Sequence, residues 1–160
     1  MDTVKKVFIT GGTSGIGAAI ARAFAAAGCS VTATGATPAE VETAQALSAN
    51  RLIAFHVLDV RQNEHVQNVL AEFGECDVLV NCAGIIQRHV EHDPEVFAQT
   101  VDINLNGTMR VCAAARAGLK ARQGCIVNTA SMLSFFGGGL TPGYSASKGG
   151  VAQLTKSLAI

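Results

Sequence analysis

The segment Thr10-Gly11-Gly12-Thr13-Ser14-Gly15-Ile16-Gly17 lies between a short apolar run, Val7 to Thr10, and an alanine-rich helical stretch, Gly17 to Ala27. No other feature of the chain limits its fold so tightly. A strand that turns through glycines into a helix opens a β-α-β unit. Gly11 permits the tight turn, Gly15 lets a pyrophosphate approach the backbone, and Gly17 lets helix and strand pack closely. The free amides and the helix dipole at such a turn attract an anion.

The rest of the chain repeats the alternation. Strands are predicted at Val31–Thr34, Leu52–Leu58, Val78–Val80 and Cys125–Asn128. Helices are predicted from Pro38 to Leu47, from Arg61 to Phe73, from Asp93 to Lys120, and from Tyr144 to the last residue, Ile160. Gly28 and Gly74 stop two of them, and Pro38 suits a first helical turn. The strands lack polar alternation, so both faces of the sheet should be covered. The expected fold is α/β, a Rossmann-type doubly wound parallel sheet with helices on both faces, in one domain spanning residues 1–160.

Hydrophobic residues at 49% and charged residues at 15% fit a globular chain with a sizeable core. Twelve basic residues balance twelve acidic ones, which argues against nucleic acid or an anionic membrane as partner. No apolar run is long enough to span a bilayer, and the charged start, Met1 to Lys6, lacks a signal-peptide core. The five cysteines, Cys29, Cys76, Cys82, Cys112 and Cys125, are odd in number and form no C-x-x-C pair. Free thiols in a reducing cytoplasm are expected, with neither a disulfide framework nor a zinc site. His89, Glu91, His92 and Asp93 imitate a metal cluster, but no further ligands accompany them. They are expected to form a solvated loop near the mouth of the site. A G-x-S-x-G elbow, which a hydrolase would need, is absent.

Tyr144 and Lys148 stand four residues apart, so a helix puts both on one face. An ammonium beside a phenol, whose ordinary pKa is about 10, favours the phenolate and equips it as a general acid or base. Taken singly, Tyr144 is equally a packing residue, Ser131 a loop serine, Asn104 a solvent-facing helix residue and Asp59 a helix cap.

The spacing Thr-Gly-x-x-x-Gly-Ile-Gly, G-x-x-x-G-x-G rather than G-x-G-x-x-G, resembles the cofactor motif of the short-chain dehydrogenase/reductase family. Four further matches follow in the family's order. They are Asp59-Val60, Asn81-Cys82-Ala83-Gly84 (with Cys82 where the family has a second Asn), Asn104, and Ser131 with Tyr144-x-x-x-Lys148. The resemblance implies an oxidoreductase that moves hydride between NAD(P) and an alcohol or carbonyl substrate. It implies that Gly11, Thr13, Ser14, Gly15, Ile16 and Gly17 hold the pyrophosphate, and that Asp59 and Val60 meet the adenine. Asn81, Ala83 and Gly84 would line the cofactor. Tyr144 would act as general acid/base, Lys148 would hold the nicotinamide ribose, Ser131 would bond the substrate oxygen, and Asn104 would anchor a proton-relaying water. It further implies homo-oligomers built through the helices carrying Asn104 and Tyr144.

The cofactor's form is less marked. Gly35 stands where an NAD enzyme places an acid after the second strand, and Ala36 and Ser14 stand where NADP enzymes carry a base. Thr34 or Thr37 can donate to either form. The slight lean to NAD comes from the run Asn81 to Arg88, which resembles sugar-acid dehydrogenases of the family and offers Arg88 to a carboxylate. A 3-oxoacyl-carrier-protein reductase is the alternative, and a non-catalytic fragment binding only nucleotide or a partner is another. The helix from Tyr144 ends without the family's sixth strand, Pro-Gly loop, lid and seventh strand. About two-thirds of the usual fold is therefore expected, with the fifth strand as an open edge and weak or no turnover by these residues alone.

Overall fold

The computed structural model describes residues 4–160. The strands are β1 (Lys6–Thr10), β2 (Ser30–Gly35), β3 (Ile53–Val57), β4 (Val78–Asn81) and β5 (Cys125–Asn128). The helices are α1 (Gly15–Ala26), α2 (Pro38–Gln45), α3 (Asn63–Phe73), α4 (Pro94–Val101), α5 (Gly107–Arg122) and α6 (Pro142–Leu158). The five strands are all parallel and run in the order β3-β2-β1-β4-β5. This is the predicted doubly wound architecture.

Period-two alternation in β1 builds a core on each face. Val7 and Ile9 join Ala21, Val31, Val41 and Val80 on one side. Phe8 joins Val66, Leu70, Leu79 and Val111 on the other. All three β1 side chains are fully buried, each contributing about 1.5–3 kcal/mol. Asp77 fastens the opposite end of the sheet. It accepts from the Lys6 amide at 2.7 Å and from Arg122 Nε at 3.1 Å, tying β1 to the end of α5. Those two bonds hold its carboxyl below the usual range.

Three details depart from the sequence reading. The single helix expected from Asp93 to Lys120 is two helices separated by a π-helical turn, Asp102–Asn106. Asn104 sits at the centre of that turn, which widens the helix where its side chain turns inward. The last helix starts at Pro142, not Tyr144, with Thr141 as N-cap and proline in the first turn. Glu91, expected in a solvated loop, is fully buried, because two backbone amides remote from each other in sequence converge on its carboxylate. Among the described residues no His/Cys/Asp/Glu group is arranged to hold a metal, and no helix is long and apolar enough to cross a membrane. β5 borders the sheet, with Cys125 and Val127 exposed.

Candidate active site

The strand order reverses direction between β1 and β4. Loops leaving their carboxyl ends therefore diverge and leave a crevice, the place where open α/β sheets take their ligands. The glycine loop forms one wall. Gly11 adopts φ +63°, and a Cβ there would lie 2.7 Å from the Ala83 backbone. A Cβ on Gly17 would lie 2.2 Å from the Gly11 carbonyl oxygen. The loop is thus pressed against both the turn after β4 and its own helix. Ser14 caps α1 with no side-chain hydrogen bond, and no acid stands in the first turn. The first amides of α1 remain available to an anion. Ile16 projects into the open and is 68% exposed.

Polar side chains bind the strand ends together beneath the crevice. Thr10 Oγ1 donates to Asn81 Oδ1 at 3.4 Å and accepts from the Ala83 amide at 3.3 Å. Asn81 Nδ2 donates to Asn128 Oδ1 at 2.9 Å, and Asn128 Nδ2 to Thr155 Oγ1 at 3.0 Å. The Asn81 side chain is therefore turned into the sheet, and its carbonyl accepts from the Thr129 amide at 3.1 Å. Asn128 and Thr155 were not legible as site residues, since nothing local marks them. On the β3 side, Asp59 is gripped by Arg61 through Nε at 3.0 Å and Nη2 at 2.6 Å, which lowers its carboxyl pKa. Val60 turns inward against Gly107.

The other wall comes from α6 and the loop after β5. Lys148 is buried, and its Nζ donates to the Thr129 carbonyl at 2.6 Å. Burial draws its ammonium below the ordinary value. The same Nζ lies 5.7 Å from the Tyr144 ring centroid, as the four-residue spacing requires. Ser131 caps a short 3-10 turn, Met132–Ser134. Its Oγ accepts from the Leu133 amide at 3.1 Å, and Ser134 Oγ donates to the Lys148 carbonyl at 2.7 Å, docking this loop on α6.

Asn104 is fully buried and links the two walls. Its Oδ1 accepts from the Ile85 amide at 2.8 Å, and its Nδ2 donates to the Ile85 carbonyl at 2.9 Å and to Ser147 Oγ at 3.0 Å. Asn104 makes no direct bond to Lys148. The two meet at Gly84, where a Cβ would lie 3.1 Å from Asn104 Oδ1 and 3.7 Å from Lys148 Nζ. A second clip, absent from the sequence reading, is Glu91. It accepts from the Gln87 and Tyr144 amides, both at 2.7 Å, and so pins the loop after β4 to the first turn of α6.

Two loops frame the mouth. His92 Nε2 and the Gly139 carbonyl are 2.9 Å apart, and the His89 amide donates to the Leu140 carbonyl at 3.1 Å. Met132, Phe135 and Phe136 are 71%, 79% and 66% exposed and so are not core. Arg88 is exposed on the facing loop.

The family described as short chain dehydrogenase matches residues 5–160. The chain is 40% identical to 2-dehydro-3-deoxy-D-gluconate 5-dehydrogenase of Bacillus subtilis (strain 168), over 97% of this chain and 64% of that protein. It is 35% identical to a 3-oxoacyl-acyl-carrier-protein reductase of Chlamydia trachomatis, over 96% of this chain and 66% of the relative. A crystal structure of actinorhodin polyketide ketoreductase with NADPH superposes with a TM-score of 0.88 at 31% identity, covering 99% of this chain and 66% of that one. The chain thus spans slightly under two-thirds of the length of the relatives it matches.

Proposed function

The chain belongs to the short chain dehydrogenase family, and on that premise we propose that it forms the nucleotide site and proton-transfer centre of an NAD(P)-dependent oxidoreductase acting on an alcohol or carbonyl. One observation carries the reading. The buried Lys148 ammonium lies beside the Tyr144 ring, at the end of the sheet where the uncapped glycine loop opens.

The residues present suit a dinucleotide. The loop of Gly11, Thr13, Ser14, Gly15, Ile16 and Gly17 offers amides and no acid to a pyrophosphate. Asp59 and the Val60 backbone reach the adenine end. The Asn81 backbone, Ala83 and Gly84 line the middle, and Tyr144 and Lys148 meet the nicotinamide ribose. A bound nicotinamide supplies or accepts the hydride. The protein does the rest. Ser131 holds the substrate oxygen, the Tyr144 hydroxyl gives that oxygen a proton or takes one from it, and Lys148 donates to the ribose. Asn104 Oδ1 and Lys148 Nζ, both beside Gly84, would share a water through which the proton is replaced.

The B. subtilis relative points to a sugar-acid substrate, whose carboxylate the exposed Arg88 would meet. A second reading, a 3-oxoacyl thioester, is favoured by the exposed Met132, Phe135 and Phe136 at the mouth, which suit an acyl chain better than a polyol.

Tyr144 is the sole tyrosine and the chain has no tryptophan, so intrinsic emission reports on this one site. Titration with a reduced nicotinamide nucleotide should quench it saturably at micromolar concentration, in parallel with calorimetric heat. Lys148→Met should weaken binding at least tenfold. A folded chain that binds neither nucleotide refutes the reading.

A further inference from the structure

The sequence offers no acid at the end of β2, where a carboxylate would select NAD by binding the adenosine ribose hydroxyls. The structure supplies one from another element. Glu40 lies in the first turn of α2, and its side chain folds back to the strand end, where Oε2 accepts from the Ala36 amide at 2.8 Å. A Cβ on Gly35 would lie 3.0 Å from that oxygen, 3.1 Å from Glu40 Cβ and 2.7 Å from Thr13 Cγ2. Gly35 is therefore a glycine because the space beside it is filled by the Glu40 side chain and the glycine loop. The loop itself is fixed here, since the Gly12 amide donates to the Thr34 carbonyl at 2.8 Å.

A capping residue alone would behave differently. Thr37 caps α2, accepting from the Glu40 amide at 3.3 Å. A reciprocal capping box would return the Glu40 carboxylate to the Thr37 amide. It passes that amide and holds the next one back, at the strand end beside Thr13. Its Oε1 accepts no hydrogen bond among the described residues, and the residue is exposed. No lysine or arginine occurs between Ser30 and Asn50 to offset the charge. Arg61, after β3, is engaged by Asp59.

We propose that Glu40 sets the nucleotide preference of this site, accepting from the adenosine ribose hydroxyls and repelling a 2′-phosphate, so that the chain selects NAD over NADP. This rests on the nucleotide-site reading above. The charge comes from α2, not from the strand, which is why the residue after β2 gives no hint of it.

The test is calorimetric titration of the 160-residue chain and its Glu40→Gln variant with NADH and with NADPH, at low and high salt. Glutamine keeps an acceptor for the Ala36 amide and removes only the charge. The wild type should bind NADH at least tenfold more tightly than NADPH. The variant should reduce that ratio at least fivefold, chiefly by binding NADPH better, with an unchanged melting temperature. Raising the salt should narrow the ratio in the wild type and leave it flat in the variant. Equal affinities in the wild type, or a ratio unaltered by Glu40→Gln, overturn the role of Glu40 while leaving the nucleotide site standing. Failure of the folded wild type to bind either nucleotide overturns both.

Discussion

Replacing Asn104 by alanine tests whether the site is held together by one buried amide. The side chain is fully buried and makes three hydrogen bonds, two to the backbone of Ile85 and one to Ser147 Oγ. Ser147 keeps a partner in the variant, because its hydroxyl also donates to the Tyr144 carbonyl at 2.8 Å. The loss therefore falls on the Ile85 amide and carbonyl. At about 1 kcal/mol for each of these bonds, plus a fraction for the small cavity, Asn104→Ala should destabilise by about 2–3 kcal/mol. With a urea slope of about 2 kcal/mol/M, the unfolding midpoint followed by circular dichroism should fall by about 1–1.5 M at constant slope. Asn104→Asp keeps an acceptor for the Ile85 amide but has no donor for the Ile85 carbonyl, so it should not restore stability at neutral pH. A midpoint within about 0.3 M of wild type for Asn104→Ala would refute the reasoning. It would mean that the loop after β4 is held by Glu91 alone.

Asp77→Asn should lower the melting temperature near neutral pH, since it weakens charge-assisted bonds to the Lys6 amide and Arg122. The carboxyl is depressed in the fold, so its contribution is complete above the ordinary value of 3.8 and fades as pH falls through the lowered one. Thermal melts below pH 4 should therefore bring wild type and variant together, and a constant gap would contradict the assignment. Gly17→Ala drives a Cβ into the Gly11 carbonyl, all of it backbone, and should destabilise by about 1–3 kcal/mol while abolishing nucleotide binding; a variant that binds as wild type would show the loop to be slack. Cys76 and Cys112 are buried and their thiols are pushed up to about 11. A thiol reagent at pH 8 should label exposed Cys125 in the folded chain and reach those two only on unfolding, as peptide mass mapping would show.

What the sequence disclosed and what it hid divide along the distance over which residues act. The glycine loop, the strand-helix beat and the Tyr144–Lys148 pair are local patterns, and local spacing suffices to place them. The π turn at Asp102–Asn106 has no local mark. It coincides with the point where Asn104 reaches Ile85, nineteen residues earlier. Glu91 read as part of a hydrophilic loop because its partner, the Tyr144 amide, lies 53 residues away. Glu40 was hidden differently. It is close in sequence to Gly35, but only the backward course of its side chain puts the charge at the strand end. Asp59 is marked by the family motif, yet its pairing with Arg61 emerges only in the fold.

The strand order also has a consequence for how the chain is made. β1 lies at the centre of the sheet, and its two neighbours leave the ribosome at very different times. β2 pairs with it through Ser30, but Val78 of β4 lies 71 residues beyond its partner Val7. At about 5–20 residues per second, that interval is roughly 4–14 s. During it, Val7, Phe8 and Ile9, the most deeply buried run in the finished fold, line a strand with one open side. A nascent chain halted before β4 emerges should thus be the form most readily captured by chaperones, and β4 the point at which it is released.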